Sequence, residues 1–135
     1  MRKALEQCLV EWWPAWFNTK GDIRHTAMPR GFTHDDGWFD ILWRLCEDLE
    51  PLVAEFEQET GSQFGVLQVK EKFGGLRFYV NCGRNDAIRQ PILAAIEESF
   101  HTCEICGQPG KLREDSWIKT LCDEHGSTPG EEQHG

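Results

Sequence analysis

The side chains best suited to chemistry lie in the last third of the chain, where three cysteines and a histidine form two close pairs. Two residues separate Cys103 from Cys106. Cys122 and His125 repeat that spacing after an interval of fifteen residues. Such spacing lets both side chains of a tight turn face one ion, and Gly107 permits backbone amides to point at sulfur. The pattern predicts a tetrahedral Cys3His site that binds one structural Zn²⁺ ion.

Four protein ligands leave no open coordination position, so the predicted zinc would stabilise the fold and activate no water molecule. His101 and Cys82 are alternative contributors to the site. We prefer His125 to His101, because His125 is spaced to pair with Cys122 whereas His101 precedes the knuckle on a helix. A redox pair would need the strand and helix context of a thioredoxin-like site.

Two further cysteines, Cys8 and Cys46, fall on the apolar stripes of predicted helices and receive no chemical role. A disulfide framework would require an exported protein, and the first six residues include Glu6 where a signal peptide needs an apolar core. We therefore expect a soluble, intracellular protein without membrane association. Its oligomeric state is left open.

The formal net charge of −9 argues against a protein that mainly coats nucleic acid, because non-specific affinity comes from cations that neutralise phosphates. The acidic residues are unevenly placed along the chain, with one dense segment before the middle. Residues 35–59 contain nine of them against Arg44 as the single cation.

Apolar spacing predicts three helices. Residues 2–18 form the first, with Pro14 expected to end or kink it. Its Trp12, Trp13 and Trp16 are either core residues or a partner-binding patch. The second follows a cap at Asp35 or Asp36, with Pro51 expected to kink or split it and Gly61 to end it.

Between the second and third helices the apolar period changes to two. Residues 65–82 read as a β-hairpin whose turn uses Gly74 and Gly75 for positive φ, and whose Leu76 and Phe78 face the core. The third helix follows a cap at Asn85 or Asp86, with its regular part beginning just before Pro91.

These elements predict an α+β fold in which helices pack on a small antiparallel hairpin or sheet, followed by a zinc-ribbon-like knuckle. Residues 1–100 would form the core, and residues 101–125 a zinc-binding module packed on it. Within that module residues 111–113 and 117–121 are long enough for a short hairpin. Residues 126–135 lack apolar anchors and are expected to be a disordered tail.

Three motifs together resemble a family of small proteins common in tailed-phage and prophage genomes. They are Gly31-Phe32 with Asp36-Gly37-Trp38-Phe39, the segment 68–79, and the cysteine and histidine pairs of 103–125. The resemblance implies a phage-derived protein expressed in the cytoplasm of a bacterial host, and it carries no particular activity. Members often have cysteines near the first motif, where this chain has Ala27 and His34, so a second metal site is not expected.

The functional hypotheses are non-enzymatic, because the chain has no nucleophile elbow, P-loop or H-E-x-x-H motif. We favour an effector that binds a host protein, such as a nucleic-acid-binding defence complex, and so modulates or inhibits it. The alternative is a zinc-ribbon protein that binds nucleic acid directly in phage transcription or replication. The candidate partner surface comprises Trp12, Trp13, Trp16, Asp40, Glu47 and Glu55. The candidate nucleic-acid contacts are Lys70, Lys72, Phe73, Arg77 and Tyr79.

Overall fold

A computed structural model of the protein describes residues 1–18, 28, 31–114 and 117–126. The elements in chain order are α1 (Lys3–Trp12), β1 (Phe32–Thr33), α2 (Phe39–Thr60), β2 (Val66–Lys72), β3 (Gly75–Val80), α3 (Asp86–Ser99), β4 (Lys111–Glu114), β5 (Ile118–Leu121) and α4 (Asp123–Gly126). The α+β class is confirmed. The irregular pattern of residues 20–33 predicts a loop or a short irregular strand, and most of that segment lies outside the described residues, as do residues 127–135 of the predicted tail.

Helix α1 ends at Trp12, so Pro14 ends the helix, which is one of the two predicted outcomes, because proline cannot continue the helical hydrogen bonding. The chain then turns Trp13 and Trp16 into the core, where their rings stack with centroids 5.9 Å apart. Trp12 remains 65% exposed. Two of the three tryptophans proposed as a partner surface are therefore core residues in this fold.

Helix α2 is the longest element, and it buries one continuous stripe against the core. A 3-10 turn, Asp36–Trp38, precedes the helix, so its N-cap is Trp38 and not an aspartate. Pro51 lies inside the helix without splitting it. Gly61 caps the C-terminus with φ of 70°, as predicted. The buried side chains are Ile41, Leu42, Leu45, Cys46, Leu49, Val53 and Phe56.

Strands β2 and β3 form the predicted antiparallel hairpin, and β1 adds a third strand parallel to β2. The sheet is thus mixed and not purely antiparallel. Strand β1 ends the segment 20–33, for which the sequence allows a loop or a short irregular strand. Two residues are too few to show a period of two, so the pairing of β1 with β2 was not predicted. Residues opposite each other share a face, and Val69 opposite Phe78 forms part of the buried face.

Helix α3 starts at Asp86, five residues before Pro91, which corrects the predicted start. The side chain of Asn85 accepts a 3.0 Å hydrogen bond from the N–H of Ile88 and thereby fixes the first turn. Pro91 removes the hydrogen bond to the carbonyl of residue 87, whose side of the helix is exposed to solvent. Water can satisfy that carbonyl, so the helix tolerates the proline.

The remaining elements follow the third helix. Strands β4 and β5 form the predicted short hairpin, and α4 ends at Gly126, which is buried and does not belong to a tail. Within the described residues, no helix combines the length and apolarity that a bilayer span requires.

His34 is buried between β1 and the 3-10 turn, with its ring 5.8 Å from that of Trp38. Nδ1 donates a 2.7 Å hydrogen bond to the carbonyl of Asp35, which fixes the tautomer. Nε2 has no partner among the described residues. Burial therefore lowers the pKa of His34 from 6.5 to about 4, because the imidazolium would lose its hydration.

The neutral His34 makes stability depend on pH. Unfolding raises its pKa back to the ordinary value, so the unfolded chain binds more protons between pH 6.5 and 4. We predict that His34→Asn loses less stability than the unmodified protein as pH falls through this window, by up to about 3 kcal/mol. Denaturant titrations at a series of pH values measure the difference. His101→Gln, which alters an exposed histidine, is the control. Parallel curves for His34→Asn and the unmodified protein would contradict the assignment.

Candidate metal centre

The two predicted pairs converge in space. The ligand atoms of Cys103, Cys106, Cys122 and His125 all lie within 4.8 Å of one another. They come from two separate segments, a tight turn before β4 and the start of α4. The group could bind a metal ion such as zinc, as the spacing predicted.

The distances between these atoms fit a tetrahedral zinc site. With zinc–sulfur bonds of 2.3 Å, two sulfurs would lie about 3.8 Å apart, and a sulfur and a nitrogen about 3.6 Å apart. Sγ of Cys106 is 3.7 Å from Sγ of Cys122. Nδ1 of His125 is 3.6 Å from Sγ of Cys103 and 3.2 Å from Sγ of Cys122.

Backbone geometry presents the first pair. The N–H of Gly107 donates a 2.9 Å hydrogen bond to the carbonyl of Cys103, and Gly107 has φ of 83°, where glycine is strongly favoured. The N–H of Cys103 donates in turn to the carbonyl of Gln108 at 2.8 Å. These bonds close the knuckle without any contribution from a metal.

The protein also favours thiolates at two of the three cysteines. Burial opposes ionisation of Cys103, but hydrogen bonds from backbone N–H groups outweigh that penalty and lower its pKa. A backbone hydrogen bond at His125 lowers the pKa of Cys122. Because metals bind the thiolate, this environment suits a cation.

The knuckle is fastened to the core at the 3-10 turn that precedes α2. The N–H of Gly37 donates a 2.6 Å hydrogen bond to the carbonyl of Glu104, and Nε1 of Trp38 donates to the carbonyl of Thr102 at 2.9 Å. A Cβ atom at Gly37 would overlap the carbonyl oxygen of Cys103. The Asp-Gly-Trp motif therefore needs glycine because the knuckle backbone lies directly against it.

A second attachment joins β5 to the turn of the β2–β3 hairpin. Oγ1 of Thr120 donates a 2.6 Å hydrogen bond to the carbonyl of Gly74. A Cβ at Gly74 would collide with the side chain of Leu112 on β4, and one at Gly75 with the ring of Phe100. Gly74 thus makes room for the C-terminal module and Gly75 for the residue that caps α3, and of the two only Gly74 has positive φ.

Glu104 was not predicted as a functional residue. It lies between the ligands Cys103 and Cys106, and it connects the attachment at the 3-10 turn with the attachment at the β2–β3 hairpin. Its side chain is 2% exposed and accepts a 3.1 Å hydrogen bond from the N–H of Asp35. Lys119 lies 3.4 Å from the Glu104 carboxylate and 3.0 Å from that of Glu71. Desolvation raises the pKa of Glu104, while Asp35 and Lys119 act in the opposite direction. No local sequence pattern marks an x position of a C-x2-C pair as buried.

The alternative ligands lie elsewhere. His101 is exposed and pairs with Glu97 at 3.2 Å, and Cys82 is not part of the cluster that the described residues form. Cys46 is buried in the core, whereas Cys8 is exposed and not buried as expected. Among the described residues, His34 belongs to no group of three or more candidate ligands.

The residues proposed to contact partners occupy two different surfaces. Asp40, Glu47 and Glu55 are exposed on α2. On the hairpin, Lys70 lies opposite Arg77, and Gln68 lies opposite Tyr79, so these four share the face that the core does not cover. Lys72 continues that face, and Phe73 follows at the turn with 62% of its surface exposed.

Comparison with known proteins identifies no relative of this chain. Neither protein-family models, nor curated proteins, nor solved structures match the chain.

The Gly37 contact yields a prediction about the attachment of the knuckle. We expect Gly37→Ala to destabilise the protein by about 2 to 3 kcal/mol, because the added Cβ displaces the backbone of residues 103–104. Denaturant unfolding measures the loss. Gly65→Ala is the matched control, since a Cβ there meets only the side chain of Asn81 at 3.3 Å. Equal stability of the two variants would show that the knuckle does not depend on this contact.

Proposed function

We propose that Cys103, Cys106, Cys122 and His125 hold one structural Zn²⁺ ion. The spacing of their ligand atoms and the lowered thiol pKa values of Cys103 and Cys122 support this. Bound zinc would supply folding free energy, since a four-ligand site has no coordination position left for substrate. The polypeptide itself orients the ligands through the knuckle and α4, and it fastens them to the core through Glu104.

The zinc proposal predicts one zinc atom per chain in reduced protein. Small zinc peptides gain roughly 10 to 16 kcal/mol from such sites, so chelation should unfold the segment 103–125. Elemental analysis and amide hydrogen exchange measure these two effects. Cys106→Ser should lose zinc and protection, whereas Cys8→Ser, which also removes an exposed thiol, should keep both. If reduced protein contains no zinc and its amide hydrogen exchange does not change when chelator is added, the zinc proposal is refuted.

We further propose that the protein is a non-enzymatic binding protein whose open sheet face binds single-stranded nucleic acid. One observation carries this proposal: Lys70, Lys72, Arg77 and Tyr79 all lie on the face of the β2–β3 hairpin that the core leaves uncovered. Cations on such a face can contact phosphates, and an aromatic ring can stack on a base.

The charge distribution supports this use of the face despite the net charge of −9. Among the described residues, no carboxylate forms an ion pair with Lys70, Lys72 or Arg77. Glu71, which lies between the two lysines, points to the other face and is paired with Lys119. The exposed carboxylates of α2 project from the helix side of the core. The electrostatic potential at the uncovered sheet face is therefore set mainly by Lys70, Lys72 and Arg77.

Three cations predict a modest and measurable salt dependence. For single strands, log K should fall with log salt concentration with a slope of about −2. Arg77→Glu should weaken binding and flatten the slope. Lys3→Glu makes the same charge change at an exposed position of α1 and should alter binding less. Fluorescence anisotropy of labelled oligonucleotides measures both values. An oligonucleotide affinity that does not change with salt concentration, or no binding at low salt, would refute the proposal.

A second candidate is the phage-derived effector that binds a host protein. It is favoured by the exposed acidic surface of α2 at Asp40, Glu47 and Glu55, which could imitate phosphates toward a basic host factor. Two results together would favour this candidate. The protein would capture one host protein stoichiometrically, with capture abolished by the double substitution Glu47→Lys and Glu55→Lys, and it would bind no oligonucleotide.

A further inference from the structure

A cleft lies where the β2–β3 turn meets the β4–β5 hairpin. Glu71, Phe73, Trp117, Ile118 and Lys119 line it, and its volume is about 400 Å³. Trp117 is 79% exposed and Phe73 is 62% exposed. Two large aromatic side chains therefore border one opening without being covered by the rest of the fold.

The turn between β2 and β3 places Phe73 in a backbone conformation that disfavours a bulky side chain. Phe73 has φ of 53° and Gly74 has φ of 84°, a combination typical of a type I′ turn. Asparagine is the favoured first residue of that turn, whereas a bulky side chain with positive φ is a conformational outlier. Since most of the Phe73 ring is exposed, core packing does not explain its presence. Strain held at an exposed aromatic residue points to binding.

The chemistry of the cleft suits a nucleobase. The ammonium of Lys72 lies 5.6 Å from the centroid of the Phe73 ring, so the cleft begins where the cations of the sheet end. Inside it, the Glu71 carboxylate is paired at 3.0 Å with Lys119, which also contacts Glu104 at 3.4 Å. The cleft thus offers aromatic faces, a hydrogen-bond acceptor and a donor, next to cations that can hold a phosphate backbone.

We propose that the cleft between Phe73 and Trp117 binds one unpaired base of a single strand that lies along the open sheet face and passes around the β2–β3 turn. The strand must pass around the turn because Glu71 and Lys119, which line the cleft, lie on the other side of the hairpin. This inference rests on the nucleic-acid proposal above and adds the subsite that reads a base. An apolar side chain of a protein partner is the competing occupant. The cations beside Phe73 and the polar pair inside the cleft favour the base.

Trp117→Ala tests the stacking contact. Loss of one base–aromatic stack should weaken oligonucleotide binding about 10-fold, and Trp117→Phe should retain most of the affinity. The control is Trp12→Ala, which removes another exposed tryptophan, on α1, and should bind like the unmodified protein. An oligonucleotide with one abasic position should bind more weakly to the unmodified protein and show no further loss with Trp117→Ala.

Phe73→Asn separates binding from stability. Asparagine should relieve the turn and raise Tm by about 3 °C, while the loss of the ring weakens oligonucleotide binding about 10-fold. A purely structural role for Phe73 predicts the opposite, with lower Tm and unchanged affinity in the folded variant. Thermal unfolding and anisotropy on the same samples distinguish these outcomes.

The two proposals fail in different ways. If the unmodified protein binds no oligonucleotide at low salt, the sheet-face proposal is refuted and the cleft proposal with it. If oligonucleotides bind, with the expected loss in Arg77→Glu, but Trp117→Ala and Phe73→Asn leave affinity unchanged, then only the cleft proposal is overturned. Loss of protein capture in Trp117→Ala, with oligonucleotide affinity unchanged, would assign the cleft to a protein side chain.

Discussion

The four ligand atoms that lie within 4.8 Å of one another belong to two chain segments, and the β4–β5 hairpin brings those segments together. The same hairpin carries Thr120 and Lys119, which hold the turn of the β2–β3 hairpin through a hydrogen bond and an ion pair. The β4–β5 hairpin thus both brings the ligands together and attaches the module to the core. A bound ion at this point would stabilise the hairpin, the knuckle and the border of the aromatic cleft together.

Close backbone contacts explain why the sequence motifs contain glycine where they do. At Gly37 the carbonyls of the knuckle occupy the space of a side chain, and at Gly74 and Gly75 the side chains of Leu112 and Phe100 do so. These positions are separated by tens of residues along the chain. Each glycine is required by a partner from another segment, and at Gly37 and Gly75 no positive φ is involved.

Charge is divided between the two sides of the core. The α2 helix turns its apolar stripe inward and its carboxylates outward, while the hairpin places Lys70 and Arg77 on the opposite, uncovered face. A net charge of −9 describes the whole chain and conceals this division. Interactions between exposed charges are screened beyond about 10 Å at ordinary salt, so each face acts on its surroundings mainly through its own residues.

Local information determined much of this protein. The spacing of the cysteine and histidine pairs, the helical period of α2, the αL cap at Gly61 and the period-two hairpin are short-range features, and the sequence predicted each of them. The prediction of His125 and not His101 as the fourth ligand also depended on spacing. These features depend on residues a few positions apart, so they can be read without knowledge of the fold.

Tertiary structure decided what depends on distant contacts. The parallel pairing of β1, the burial of Trp13 and Trp16, and the bridging role of Glu104 all need partners far along the chain. So does the cleft that joins Phe73 to Trp117. Burial and pairing between segments follow from how the whole chain closes on its core, and no local period or spacing encodes them.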